Sequence, residues 1–104
     1  MQVIPTAPYL RRVNKLLTEQ ERIQAEMEIV AEPEAWPVIA GTGGARKARV
    51  RRGSRGKSGG ARIIYFLRAQ SGRIYLMTIY AKSEREDLTH DEKRALHDAA
   101  ATLP

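Results

Sequence analysis

The sequence predicts an α+β fold, with two N-terminal helices packed on a small antiparallel β-sheet and a further helix at the C-terminus. Two stretches with apolar residues at helical spacing come first, β-branched and aromatic stretches follow, and an Ala-rich helical stretch ends the chain. The expected element order is β-α-α-β-β-β-α. With 104 residues and no internal repeat, the chain has the size of one domain, residues 1–104.

The N-terminal region is predicted to form a brief strand and two helices. The first helix is expected over residues 9–17, with an apolar face made of Leu10, Val13 and Leu17. Thr18 followed by Glu21 fits a capping box, in which each side chain accepts a hydrogen bond from the backbone N–H of the other residue. A second helix is therefore expected from there to Pro33, with an apolar face made of Ile23, Met27, Val30 and Ala31.

The remaining elements are three strands and a last helix. Residues 45–51 alternate between apolar and basic side chains after a Gly-rich turn, as a half-buried strand does. Residues 61–67 and 73–81 are apolar at both odd and even positions, which predicts two central strands that are covered on both faces. Thr89 and Glu92 repeat the capping-box pattern, so the last helix is expected to begin there.

Basic and acidic residues are segregated along the chain. No acidic residue occurs between Glu34 and Glu84, whereas residues 35–83 carry 11 basic side chains within a chain of net charge +6. A sheet built from this central segment concentrates the positive charge on one surface. The pattern predicts a protein that binds a polyanion such as RNA.

Composition also excludes several kinds of chemistry. The chain has no cysteine, which excludes disulfides, thiolate nucleophiles and Cys-based zinc sites. No stretch approaches the roughly 20 apolar residues of a membrane span, and the N-terminus has no signal-peptide core. We therefore expect a cytoplasmic location with no membrane contact, and we predict neither a metal nor a cofactor.

The candidate site residues lie on and around the predicted strands. RNA cleavage without a metal needs a group that deprotonates the 2′-hydroxyl, positive charge near the phosphorus and a proton donor for the leaving oxygen. Arginine binds phosphate oxygens in a bidentate manner, lysine acts as a point charge or a base, and tyrosine offers a hydroxyl or a stacking surface. The predicted catalytic set is Lys47, Arg49, Arg62, Tyr80 and Lys82. The predicted RNA-binding set is Arg46, Arg51, Arg52, Arg55, Lys57 and Arg85.

Two other patterns are weaker candidates for sites. Residues 51–58, RRGSRGKS, end like a phosphate-binding P-loop, but Arg51 replaces the required first glycine and no helix follows. His90 and His97 lie two turns apart on the last predicted helix. Without further ligands, two such histidines are more typical of a protein surface than of a metal site.

Four short motifs occur in order along the chain: GTGGARK at 41–47, KSGGARIIY at 57–65, IYAK at 79–82 and EDLT at 86–89. With this spacing they resemble the RelE/HigB-like toxins of bacterial type II toxin–antitoxin systems, in the RelE/ParE superfamily, over roughly residues 18–100. The resemblance implies an mRNA endoribonuclease that inhibits translation, usually by cutting in the ribosomal A site. It also implies a cognate antitoxin as partner, often a helix-turn-helix protein.

The resemblance assigns roles to four basic residues. The family's basic pair on the second strand matches Lys47 and Arg49, and its phosphate-binding arginine after the Gly-rich loop matches Arg62. The lysine at the end of the last strand matches Lys82.

Two positions depart from the family pattern. The arginine that follows the last strand in RelE-like members is replaced by Ser83, so Arg85 is the candidate for its role. The C-terminal tyrosine of those members aligns near Thr89, and Tyr80 is the candidate substitute.

The residues leave more than one function open. The first is a ribosome-dependent mRNA endoribonuclease. The second is a non-catalytic RNA- or ribosome-binding protein, in which the same cations only hold phosphates. A third is a degenerate family member kept for its antitoxin contact.

Overall fold

The computed structural model describes residues 1–53 and 60–104, and this part of the chain contains three helices and four strands. They follow in the order β1 (Gln2–Pro5), α1 (Ala7–Leu16), α2 (Glu19–Ala31), β2 (Arg46–Val50), β3 (Ala61–Arg68), β4 (Arg73–Ala81) and α3 (His90–Ala100). A short 3-10 turn, Ala69–Ser71, joins β3 to β4. The predicted α+β class and element order are confirmed.

The four strands form one mixed sheet in the order β1-β4-β3-β2. β3 pairs antiparallel with both β2 and β4, but β1 runs parallel to β4, with Val3 opposite Ile74. The expectation of a wholly antiparallel sheet is therefore wrong for β1. Two helices separate β1 from the rest of the sheet, so no hairpin turn fixes its direction.

Apolar side chains fill both faces of the sheet. α1 and α2 cover one face, here called the hairpin face, where buried residues from the helices meet the strands: Tyr9, Val13, Ile29, Ile63, Tyr65 and Leu76. α3 and the segment before it cover the other, the α3 face, with a second cluster that includes Ile64, Phe66, Tyr80, Leu88 and Leu96. β3 and β4 are thus buried on both sides, as their apolar sequences predict.

The buried face of α2 differs from the predicted one. Ala25 and Ile29 are buried, whereas Ile23 and Met27 are 50% and 62% exposed. The exposed stripe lines an open groove together with Val3, Glu26, Val30 and Ala31.

The hydroxyl of Tyr9 explains which face of α2 turns inward. This residue is buried, and its hydroxyl donates to Glu26 Oε2 at 2.7 Å, while Arg22 Nε lies 2.9 Å from the same oxygen. A buried hydroxyl without a partner is costly, so the side of α2 that supplies this acceptor packs against α1. Burial and the bond to Glu26 also raise the pKa of Tyr9 well above its ordinary value.

Local signals set the helix starts. Both predicted capping boxes are present, because Thr18 pairs reciprocally with Glu21 and Thr89 with Glu92.

No helix in residues 1–53 or 60–104 is long and apolar enough to cross a membrane.

The Gly-rich turn before β2 packs tightly against α3. The buried Thr42 donates its hydroxyl to the Ile39 carbonyl at 2.6 Å and accepts the Ala45 N–H at 3.0 Å. Gly43 has φ +74°, and a Cβ at this position would lie 2.9 Å from Ala100 Cβ. The turn therefore requires glycine there for both its backbone conformation and its contact with the helix.

Candidate nucleic-acid interface

The strand register places two candidate arginines side by side on the α3 face. Arg49 on β2 is opposite Arg62 on β3, and Arg62 is opposite Tyr80 on β4. Residues that are opposite each other across a sheet share a face, so these three side chains start from one row. Lys47 lies two residues before Arg49 and therefore on the same face.

Gly60 shapes the surroundings of Arg62. The carbonyl of Gly60 accepts the backbone N–H of Lys82 at 2.9 Å, which brings this lysine beside the start of β3. The Arg62 guanidinium donates to the Ala61 carbonyl at 3.0 Å, and a Cβ on Gly60 would lie 3.4 Å from its Nη1 and 3.1 Å from the Val50 carbonyl. Because Gly60 has no side chain, the Arg62 guanidinium has room at the start of β3.

We call Arg49, Arg62 and Lys82 the cationic cluster. None of the three forms an ion pair with a carboxylate in the part of the chain that the structure describes. Residues 54–59 contain no acid either, so they supply no countercharge. Arg49 is exposed, and the other two are half-buried. Three cations without a countercharge attract phosphate groups, and two guanidiniums in register suit bidentate binding of phosphate oxygens.

Lys47 has a different electrostatic environment from the cationic cluster. Its Nζ lies 4.0 Å from one carboxylate oxygen of Asp87, and Lys93 Nζ of α3 lies 3.9 Å from the other. Asp87 therefore offsets part of the charge of both lysines. The pair of lysines extends the positive surface from β2 to α3.

The protein's family follows from comparison with known proteins. The family model described as the RelE toxin of the RelE / RelB toxin-antitoxin system matches residues 13–104. This chain belongs to the RelE toxin family. The match covers all of the candidate residues above and extends over both sheet faces.

Two solved structures have the same fold as this RelE-family chain. An E. coli RelE double-arginine mutant in the free state is 16% identical, with a TM-score of 0.61 and coverage of 98% of this chain and 97% of that one. A chain of the intact E. coli RelBE toxin-antitoxin complex is 18% identical, with a TM-score of 0.57 and coverage of 77% of this chain and 94% of that one.

Tyr80 lies in a place that its predicted role does not fit. It is fully buried in the α3-face cluster, and the guanidinium carbon of Arg85 lies 4.7 Å from its ring centroid. Among the described residues, the hydroxyl hydrogen-bonds only to the Glu86 carbonyl, at 3.5 Å. Burial, followed by the charge of Asp87, raises the pKa of Tyr80, so the hydroxyl keeps its proton at neutral pH. In this structure Tyr80 is a core residue, and its ring is not available to stack on a base.

Arg85, the candidate replacement for the missing arginine next to Ser83, is engaged inside the protein. Its Nη1 forms an ion pair with Glu92 Oε1, and this hydrogen bond raises the pKa of Arg85 and lowers that of Glu92. Together with its contact to the Tyr80 ring, this ion pair ties the segment before α3 to the helix.

Two further members of the predicted RNA-binding set bind backbone carbonyls. Arg46 points to the hairpin face, where its Nη1 donates to the carbonyls of Trp36 at 2.6 Å and Glu34 at 3.1 Å. Arg52 Nε donates to the Leu16 carbonyl at 2.9 Å and so holds the end of α1. Both residues join segments of the fold, and their hydrogen bonds are to backbone carbonyls.

The other predicted RNA contacts are less defined. Arg51 is exposed just after β2. Arg55, Lys57 and the P-loop-like stretch around them lie in or overlap residues 54–59, outside the described residues.

Sequence reasoning gave no role to Gly60, Asp87 or Lys93. Gly60 lies in the KSGGARIIY motif and Asp87 in the EDLT motif, and membership of these motifs is the sequence feature that could have marked both as site residues. Lys93 had no signal, because its approach to Asp87 depends on how α3 packs against the sheet.

Proposed function

We propose that this RelE-family chain is the toxin of a type II toxin–antitoxin system and cleaves mRNA on the ribosome in the cytoplasm, thereby inhibiting translation. The observation that carries the proposal is the cationic cluster, in which two arginines in register and a lysine at the same end of the sheet have no carboxylate partner among the described residues.

The cluster fits the charge that develops during RNA cleavage. Attack of a 2′-hydroxyl on the adjacent phosphate adds negative charge around phosphorus, and fixed guanidiniums stabilise that charge without reorganising. In this proposal Arg62 and Arg49 hold the non-bridging oxygens, and Lys47 and Lys82 supply further positive charge. No metal is needed for these roles.

The ribosome has a defined part in this proposal. Residues of the described part of the site include no accessible tyrosine, and both histidines lie on α3. A small toxin with charge stabilisation but limited acid-base groups benefits from a large partner that orients the 2′-hydroxyl for in-line attack. Holding the message in a reactive conformation is the task assigned to the ribosome.

A second candidate function is a non-catalytic clamp on RNA or the ribosome. The burial of Tyr80 and the ion pair of Arg85 favour it, because both withdraw candidate catalytic groups from the surface. The two functions differ in what Arg62 does: it stabilises a transition state in the first and only binds phosphate in the second.

The proposed protein partner is a cognate antitoxin, expected to be a helix-turn-helix protein. A relative with the same fold has been solved in a toxin-antitoxin complex. The exposed apolar groove on α2 supports a protein partner, because contiguous exposed apolar surface is typical of interaction sites.

Inducible expression in a bacterial host tests the proposal. The wild type is expected to arrest growth and produce new mRNA 5′ ends inside translated frames, while Arg62→Ala produces neither. Arrest without new ends would support the clamp. Wild-type expression without arrest would contradict both functions, and co-expression of the antitoxin should restore growth.

A further inference from the structure

A groove lined by basic side chains lies between the Gly-rich turn and α3. It has a volume of about 420 Å³ and is lined by Ala40, Gly41, His90, Lys93, Arg94 and His97. Four of these six residues have side chains that are basic. Two elements of the fold build the groove, because the turn packs on α3 through Gly43. The groove therefore has walls from two elements, unlike a set of basic side chains on a single exposed helix.

Two nitrogen-bearing side chains of the groove are close together, and the turn contributes no acidic neighbour. Arg94 Nη2 lies 3.2 Å from His90 Nε2. The turn, residues 40–44, carries no titratable side chain. The nearby acids belong to α3 and the segment before it: Asp98 lies 3.9 Å from His97 Nδ1, Asp91 follows His90 in sequence, and Asp87 pairs with Lys93.

An anion fits this groove better than a cation does. No group of three or more His, Asp or Glu side chains able to hold a metal ion occurs in residues 1–53 and 60–104. Lysine and arginine donate several hydrogen bonds and an imidazole at least one, and all of them bind phosphate oxygens.

The groove is continuous with the positive surface of the sheet. Lys93 lines it, and Asp87 is the only side chain separating Lys93 from Lys47 in the described ion-pair network, at 3.9 and 4.0 Å. Lys47 is therefore a link between the strand that carries Arg49 and the helix that lines the groove.

We propose that this groove is a second phosphate-binding site, which holds a phosphodiester of single-stranded RNA one or more nucleotides away from the cationic cluster. The inference rests on the proposed function, because it assumes that the cationic cluster binds RNA. It assigns His90, Lys93, Arg94 and His97 to substrate binding and gives them no part in the chemical step. A fixed second phosphate sets the direction in which the strand crosses the sheet.

Histidine NMR signals test the groove directly. The chain has two histidines, and both line it. Adding a single-stranded RNA of about ten nucleotides to the full chain is expected to shift both imidazole signals. Signals that stay unchanged at saturating RNA would overturn the proposal.

Binding measurements with matched variants complete the test. The double substitution Arg94→Ala with His97→Ala is expected to weaken binding of the same RNA about tenfold and to lower the salt dependence by roughly one counterion per lost contact. Arg11→Ala removes an exposed arginine from α1 and is expected to leave affinity nearly unchanged. Equal losses in both variants would show that only net charge matters and would overturn the site.

Arg62→Ala separates this inference from the proposed function. If RNA binding falls with Arg62→Ala but not with the double substitution, the groove is not a site and the proposed function stands. If neither change affects binding, neither place binds free RNA and this inference fails, whereas the proposed function is decided separately by whether Arg62→Ala abolishes the new mRNA 5′ ends.

Discussion

Two arginines of the same strand, β2, have different surroundings although they lie close together. Arg46 and Arg49 are three residues apart on one strand, yet Arg46 faces the hairpin side and binds two backbone carbonyls, whereas Arg49 faces the α3 side and has no carboxylate partner among the described residues. Arg62, opposite Arg49, is also without such a partner. The comparison shows that strand parity separates an arginine that joins segments of the fold from arginines that have no carboxylate partner among the described residues, and the latter are the proposed RNA ligands.

The first prediction concerns Arg46, where the largest loss of stability is expected. Arg46→Ala removes two charged hydrogen bonds and leaves the Trp36 and Glu34 carbonyls without this donor. We expect the free energy of unfolding in urea to fall by about 2 kcal/mol. Arg49→Ala, at an exposed position on the same strand, is the control and should change it by at most about 0.5 kcal/mol. Equal losses in the two variants would erase the distinction between the two faces.

The second prediction concerns the space beside Arg62. Gly60→Ala places a methyl group 3.1 Å from the Val50 carbonyl and 3.4 Å from Arg62 Nη1, so either the guanidinium or the strand must shift. Because a small displacement of a catalytic group is costly, the proposed role of Arg62 predicts that cleavage falls about tenfold. The control is the same change combined with Arg62→Ala, where Gly60→Ala should cause no further loss. A full additional tenfold loss in that background would show that Gly60 acts independently of Arg62.

The third and smallest effect is expected at Tyr80. Tyr80→Phe removes a hydroxyl that donates to a carbonyl at the long distance of 3.5 Å, and the ring stays in its cluster. Cleavage should stay within about twofold of the wild type, and stability within about 0.5 kcal/mol, because so long a contact is a weak hydrogen bond. A large loss of cleavage with unchanged stability would mean that the segment before α3 moves and exposes this hydroxyl to RNA.

Local patterns predicted the fold well, whereas features that depend on distant partners were missed. The capping boxes at Thr18 and Thr89 depend on residues three positions apart, so the sequence shows them directly. The buried face of α2 depends on the Tyr9 hydroxyl, which lies on another helix. The parallel direction of β1 depends on its pairing with β4 across the whole chain.

The candidate site followed the same rule. Alternation along β2 correctly placed Lys47 and Arg49 on one face, and the register then brought Arg62 opposite Arg49. The carbonyls that Arg46 binds were not predictable, because they come from a segment that packs beside β2. The burial of Tyr80 was not predictable either, because it depends on how α3 packs on the sheet. The role of the cationic cluster in RNA cleavage remains a prediction.

Single-turnover cleavage of mRNA on programmed ribosomes, at saturating toxin, tests the central claim that the cationic cluster stabilises the transition state. The account predicts that Arg62→Ala lowers the rate at least about 100-fold, as the loss of a transition-state donor does, while Arg46→Ala, measured where it is folded, stays within about threefold. If saturating amounts of Arg62→Ala restored the wild-type rate, Arg62 would serve binding alone, and the claim would be contradicted.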